Sequence, residues 1–341
     1  MVNKNKKIKL IATLGPSSLN KKVLDKLKKD VDIFRLNMSH LSLEQLKKNL
    51  KFIKKNNIKN ICIDTEGAQI RTISTTKRRY LKKNQSVMIS SLSNKLQNYI
   101  NLYPNFSLKS IKVSSKIKIG FGGLILKVIK KLEKKLVCKV LNSGVLEANK
   151  GVHFDSQIKL NCLTKKDLEA IKIAKFFEVN IFALSFANSR EDVKFIRSLI
   201  GKNNNLISKI ETRAGFLNRK KITKESDAIL IDRGDLSRYI DISKIPLAQR
   251  ILIRDVKKAG KKVYIATNLL ETMINSIEPT RAESNDVFSS IESGCSGLVL
   301  AAETAIGKYP AECVEFLKKC LKASYQQKKL INNNKFFFRS S

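Results

Sequence analysis

Tryptophan is absent from this chain, histidine occurs only twice (His40 and His153), and no two cysteines have C-x-x-C spacing. Two histidines cannot build a histidine-rich zinc centre. The six cysteines (Cys62, Cys138, Cys162, Cys295, Cys313 and Cys320) are scattered. They read as reduced, mostly buried small hydrophobes rather than a disulfide framework or a redox motif. No apolar run approaches the roughly 20 residues that span a bilayer. Met1 to Lys9 is basic but passes directly into a strand-like segment, without a signal-peptide hydrophobic stretch, so a cytoplasmic location is expected. A glycine-rich dinucleotide loop is missing too: Leu14-Gly15-Pro16-Ser17-Ser18 is not G-x-G-x-x-G.

Acidic residues are scarce, 29 against 67 lysines and arginines, for a net charge of +38. Such an excess ordinarily points to nucleic acid. Here the positive charge is mostly lysine spread over predicted helices, with abundant asparagine and isoleucine, a pattern that drift in an AT-rich genome produces equally well. Aromatic residues are not interleaved with the basic clusters as a base-stacking platform requires. Non-specific attraction to polyanions is expected, and specific nucleic-acid recognition is not. With 341 residues, 43% of them hydrophobic, the chain can hold one large α/β domain with an inserted module, or two domains.

Short β-branched runs alternate with amphipathic helical runs. Strands are expected at Lys9 to Gly15, Asp32 to Ser39, Asn60 to Thr65, Asn180 to Phe186, Leu206 to Glu211, Ala228 to Asp232, Lys262 to Thr267 and Ser296 to Ala302. A helix pattern follows each, only a modest one after Glu211 and the last running from Pro310 to about Lys329. Ser42-Leu43-Glu44-Gln45 reads as a capping box, with Leu43, Leu46, Leu50 and Ile53 as the apolar stripe behind it. Eight strand–helix units close a (β/α)8 barrel, an α/β fold; without a glycine-rich loop, an open doubly wound sheet is disfavoured.

One stretch breaks this rhythm. Short alternating segments at Ser86 to Ser90, Ile111 to Val113, Lys116 to Ile119, Leu124 to Ile129, Leu136 to Val140 and Gly144 to Glu147 predict a small all-β module, with Gly122-Gly123 and Asn142-Ser143-Gly144 as turns. The expected organisation is barrel over 1–72, inserted β domain over 73–157, barrel over 158–330 and a loose basic tail over 331–341. An insert leaving the carboxyl ends of barrel strands is placed to act as a lid.

Lys209 and Glu211 are two apart on a strand and so share a face, and Asp235 follows the next strand beside Gly234. Two carboxylates and a lysine suit a divalent metal handled with a phosphoryl group; a surface ion pair and an ordinary turn fit the same residues. Other strand ends add polar side chains: Arg35, Asn37, Ser39 and His40; Asp64 and Thr65; Ser185; Thr267; and Glu303. Interior strands rarely finish this way for stability, because buried polar groups need partners. A pocket that binds anions and coordinates cations is the better account.

These residues fall in longer motifs: Ile11-Ala12-Thr13-Leu14-Gly15-Pro16-Ser17-Ser18, Phe34-Arg35-Leu36-Asn37-Met38-Ser39-His40, Asp64-Thr65 with Ile70-Arg71-Thr72, Ile207-Ser208-Lys209-Ile210-Glu211, and Arg233-Gly234-Asp235-Leu236. Ala266-Thr267-Asn268-Leu269-Leu270-Glu271-Thr272-Met273, Pro279-Thr280-Arg281-Ala282-Glu283 through Asp286-Val287, and Glu303-Thr304-Ala305 complete them. In kind and order they resemble the pyruvate kinase family over nearly the whole chain. The resemblance implies a barrel with a β lid after its third strand, and transfer of a phosphoryl group from phosphoenolpyruvate to ADP. It assigns Glu211 and Asp235 to Mg2+ (or Mn2+), Lys209 to the phosphoryl group in flight, and Arg35 to the phosphate. It also assigns Asn37, Ser39, Asp64 and Thr65 to K+, the backbone around Gly234 and Asp235 to the substrate carboxylate, and Thr267 to enolate protonation. Asn37, His40, Arg71 and Lys150 match nucleotide-side positions.

The chain departs from the family pattern at Glu66-Gly67-Ala68-Gln69, where Gln69 lies in the region that tunes dependence on K+, and at the lid's Phe121-Gly122-Gly123, which lacks a usual aspartate pair. Asn188, Ala214 and Ala301-Ala302 also differ. The resemblance further implies that the family's C-terminal regulatory domain is absent, leaving barrel contacts for any homo-oligomer. The competing reading is a paralogue that binds phosphate or nucleotide without turning it over.

Overall fold

In a computed structural model of the chain, the structure describes residues 7–73, 76–90, 99–120, 123–156 and 158–330. Eight strands form one closed parallel barrel: β1 (Lys9–Thr13), β2 (Ile33–Asn37), β3 (Ile61–Asp64), β4 (Ile181–Leu184), β5 (Asn205–Ile210), β6 (Ala228–Asp232), β7 (Lys262–Ala266) and β8 (Gly297–Leu300). Each pairs with its sequence neighbours, and β8 closes on β1 with Leu10 opposite Leu298. Helices on the outside return the chain: α1 (Lys21–Leu27), α2 (Leu43–Lys55), α3 (Lys165–Phe176), α4 (Arg190–Ile200), α5 (Arg213–Glu225), the short α6 (Arg233–Leu236), α7 (Ile245–Lys258), α8 (Arg281–Glu292), the short α9 (Ala302–Ala305) and α10 (Pro310–Leu330). No helix among the described residues is long and apolar enough to cross a membrane.

Every strand places alternate side chains inside. Ile11, Ile33, Cys62, Ile181, Ala183, Ile207, Ala228, Leu230, Tyr264, Ala266 and Val299, drawn from all eight strands, form one buried cluster. The barrel is therefore filled and is not a channel. The next inward position along several strands is polar: Thr13, Arg35, Asp64, Lys209 and Asp232 stand two residues beyond Ile11, Ile33, Cys62, Ile207 and Leu230. Apolar layers below and a charged layer above follow from the period of two.

The capping box at Ser42 and Gln45 forms, and Leu46, Leu50 and Ile53 behind it are fully buried. Thr280 with Glu283 makes the same device at the start of α8. The modest helix expected after Glu211 is instead the 13-residue α5, begun by Thr212, whose side chain accepts from the Gly215 N–H. Its sequence is mostly polar, so hydrophobic period underreports it.

The chain divides into two compact units, one of residues up to Glu66 and from Lys165 onward, the other from Gly67 to Thr164. The second is all β. A seven-stranded sheet runs in the order Val152–Phe154, Lys116–Ile119, Leu124–Lys131, Lys135–Asn142, Ser86–Ser90, Tyr99–Tyr103, Arg71–Thr72, and Arg79–Leu81 pairs separately with Gly144–Leu146. Ser86–Ser90 and Tyr99–Tyr103 are parallel; the other pairs of that sheet are antiparallel. Ile89, Ile100, Ile117, Leu126, Leu136 and Val140 centre its core. Ile111–Val113, expected as a strand, is not one: Ile111 N–H donates to Leu108 O at 3.1 Å, closing a turn, and of the three residues only Ile111 is buried. Phe121-Gly122 and the 331–341 tail lie outside the described residues.

Candidate functional site

The charged layer at the carboxyl end of the barrel is built around Lys209, which is 4% exposed. Its Nζ donates to Asp64 Oδ2 at 3.1 Å and Ser185 Oγ at 3.0 Å, lies 3.0 Å from Glu211 Oε1, and is 3.9 Å from Asp232 Oδ2. Asp64 Oδ2 also receives Arg35 Nε at 2.7 Å, while Asp64 Oδ1 receives Ser185 Oγ at 3.0 Å. Arg35 Nη1 donates to Thr13 Oγ1 at 2.8 Å. Ser185 N–H reaches Thr65 Oγ1 at 3.0 Å.

Burial opposes the charge on each of these groups, but the partners decide the outcome. Burial alone would lower the Lys209 ammonium; Asp64 and Glu211 outweigh it and hold it above its ordinary range. Burial would raise Asp64, and Lys209 and Arg35 reverse that. Glu211, 1% exposed, is the exception. Burial pushes its carboxyl up, Lys209 pulls it back, and Asp232, Asp235 and Asp64 push it further up. Lys209 is thus a fixed cation at neutral pH, and the Glu211 carboxyl is short of positive charge.

Glu211, Asp232 and Asp235 each present an oxygen within 4.8 Å of the others, the donor spacing of a hard cation. Glu211 Oε2 accepts the Phe186 N–H at 2.6 Å. Its Oε1 is buried and accepts no hydrogen bond from a described residue. Lys209 Nζ at 3.0 Å is the ion-pair partner of that oxygen, and one cation among three acids leaves room for a divalent ion.

Asp235 lies inside α6 rather than at the strand end, and its N–H points toward Asp232 Oδ1 at 3.4 Å. Thr267 leaves β7 with φ +68°, followed by Asn268 at +54°. A β-branched residue there carries about 1–2 kcal/mol of strain. Its hydroxyl accepts the Gly234 N–H at 2.8 Å and lies 3.2 Å from Asp232 Oδ1. Arg233 holds the strained carbonyl: Nε and Nη2 reach Thr267 O at 3.1 and 2.6 Å, and Nη1 meets both oxygens of Asp286 at 2.7 and 2.6 Å.

Arg35, Asp64, Ser185, Lys209, Glu211, Gly234, Asp235 and Thr267 therefore converge. Thr65 joins through Ser185, and Asn37 stands opposite Asp64 in the sheet register. Asn37 Oδ1 caps the turn that carries Ser39 and His40, accepting the Ser39 N–H at 3.1 Å. Glu303, just past the carboxyl end of β8, ties loops together, accepting from Leu270 and Ala301 N–H groups. Arg71 and Lys150 belong to the second unit, where Arg71 bridges Gly151 and Lys150 Nζ lies 3.2 Å from Glu147. Asp232 and Arg238 were not anticipated, and Arg233 was given no role beyond its place in the Arg233-Gly234-Asp235-Leu236 motif. Asp232 had a signal, being an acid one inward step beyond Leu230; Arg238 had none.

A filled parallel barrel with a charged layer at its carboxyl rim and a β unit inserted after β3 is a barrel enzyme, which carries its site on that rim. The pyruvate kinase barrel-domain description matches residues 5–314. Pyruvate kinase of Methanocaldococcus jannaschii is 35% identical over 329 residues, covering 95% of this chain and 71% of that one. Those of Borreliella burgdorferi and Staphylococcus aureus are 33% and 32% identical over 88% and 96% of the chain, which spans 64% and 59% of their lengths. A crystal structure of Cryptosporidium parvum pyruvate kinase superposes with a TM-score of 0.86 at 32% identity, over 94% of this chain and 71% of that one. The chain belongs to the pyruvate kinase family of phosphotransferases.

Proposed function

We propose that the chain transfers the phosphoryl group of phosphoenolpyruvate to ADP, giving ATP and pyruvate in cytoplasmic glycolysis. The observation that carries this reading is Lys209: a buried cation, kept charged by Asp64 and Glu211, beside three carboxylates suited to a divalent ion. In such a transfer charge spreads over the phosphoryl oxygens, and a positioned cation stabilises them more than it does the ground state. Lys209 takes that role, and Arg35, braced by Asp64 and Thr13, grips the phosphate with its planar fork.

Glu211 and Asp235, joined by Asp232, would hold Mg2+ or Mn2+, which would supply charge neutralisation for the anionic substrate. Asn37, Ser39, Asp64 and Thr65 offer oxygens at adjoining ends of β2 and β3 for K+. Backbone N–H groups at Gly234 and Asp235 receive the substrate carboxylate in exchange for their contacts with Thr267 Oγ1 and Asp232 Oδ1. As the enol oxygen loses its phosphoryl group, the Thr267 hydroxyl helps deliver a proton to the methylene carbon. His40, Arg71 and Lys150 serve the nucleotide. Association of copies through barrel surfaces belongs to the same reading.

A coupled assay of pyruvate release from phosphoenolpyruvate and ADP, with and without Mg2+ and K+, tests this. Turnover is expected to vanish in Lys209→Met, and metal-dependent turnover is expected to be lost in Glu211→Gln with the fold retained. Wild-type turnover no higher than Lys209→Met would remove the kinase reading, and retained substrate binding would then favour the inactive paralogue.

A further inference from the structure

Immediately after α6 the chain makes one more turn, in which Arg238 N–H donates to Asp235 O at 3.1 Å. That turn folds the Arg238 side chain back over the acid three residues before it. Arg238 Nε lies 3.2 Å from Asp235 Oδ1, with 12% of the arginine side chain and 22% of the aspartate exposed. The pair is therefore largely desolvated, unlike the exposed i,i+3 pairs elsewhere on the chain. An arginine does not give up its proton in a protein, so this charge is permanent.

The three carboxylates of the candidate metal site consequently have a cation on each side. Lys209 stands 3.0 Å from Glu211 and 3.9 Å from Asp232, and Arg238 stands 3.2 Å from Asp235. Counted as carboxylates, the three acids face two fixed positive charges, so Arg238 removes one unit of the negative charge that a divalent ion would meet. Coulomb attraction scales with that charge, and the guanidinium and the ion compete for the same carboxylate.

We propose that Arg238 is a resident competitor for Asp235, so that the substrate-free protein binds a divalent ion weakly and an anionic substrate must draw Arg238 away for the site to fill. A guanidinium suits this exchange because carboxylate and phosphate oxygens satisfy it equally well. The inference rests on the metal site of the proposed function.

Its test is Mn2+ binding to the full chain without substrates, measured by the free-ion paramagnetic resonance signal. Arg238→Gln keeps a donor toward Asp235 but removes the charge, and Arg238→Met removes both. Each is expected to bind Mn2+ at least about tenfold more tightly than wild type, equivalent to about 1.4 kcal/mol. Arg238→Lys, which restores the charge, should stay near wild type. Circular dichroism identifies any variant that fails to fold, and the folded one of the neutral pair then decides. Equal or weaker Mn2+ binding by the neutral variants, with wild-type binding still abolished by Glu211→Gln, overturns the role of Arg238 and leaves the metal site standing. Mn2+ affinity indifferent to Glu211→Gln overturns the metal site, and the inference with it.

Discussion

Lys209 and Arg35 share one oxygen: Nζ of the first and Nε of the second both donate to Oδ2 of Asp64, at 3.1 and 2.7 Å. Two buried cations are held together by one carboxylate. Asp64→Asn keeps the shape but takes the carboxylate from Arg35 and leaves Lys209 only Glu211 and the more distant Asp232, and it should cost about 3–5 kcal/mol of folding stability. Urea denaturation at pH 7 checks this; a loss below about 1 kcal/mol would mean that the charges are not compensated through Asp64.

Two glycines separate fold from function. A Cβ on Gly15 would sit 2.5 Å from Ala305 O, whereas one on Gly234 would meet Asp232 Oδ1 and Thr267 Oγ1 at 3.5 Å, ordinary contact. Gly15→Ala should lower the melting temperature by several degrees, since backbone must move. Gly234→Ala should leave it unchanged and reduce turnover at least about tenfold by crowding substrate at the backbone N–H groups. Full turnover by Gly234→Ala would place the substrate carboxylate elsewhere.

Arg233 braces Thr267 from behind. Its fork spans Thr267 O on one side and Asp286 on the other, and a lysine cannot make both contacts. Arg233→Lys should reduce kcat by at least about tenfold, with a much smaller change in KM, because the strained backbone that aims the Thr267 hydroxyl relaxes. A kcat within twofold of wild type would show that the strain is held without it.

Glu283 supplies a pH signature. Burial would raise its carboxyl, but the N–H groups of Thr272 and Thr280, at 2.7 Å each, outweigh that and hold it below its ordinary value. A depressed folded-state value contributes stability fully above the unfolded value, about 4.5, and loses it as pH falls through the folded one. The stability gap between wild type and Glu283→Gln should therefore be constant from pH 6 to 8 and shrink below about pH 4.5. A gap independent of pH would contradict the cap.

Local order decided what could be read from residues alone. The period of two placed Lys209 beside Glu211, and they meet at 3.0 Å. Capping chemistry marked the start of α2 at Ser42, and eight alternating units implied a closed barrel with a β insert, all of which needed only neighbours in sequence. Where local signals weakened, the reading slipped. α5 buries little beyond Gly215, Ile222 and Thr223, and Ile111 is buried by a turn rather than by strand pairing. The parallel pairing of Ser86–Ser90 with Tyr99–Tyr103 has no local signature either.

Closure of the barrel decided the rest. It brings Arg35 within 2.7 Å of Asp64, and Lys209 to that acid across 145 residues of chain. It sets Arg233 against Asp286, 53 residues on, and makes Asp232 the third acid beside Glu211. The sequence determined which side chains point inward, because that depends on backbone period. Which of them share a proton, a charge or a candidate metal depends on distances between strands far apart in the chain, and those exist only once the barrel is closed.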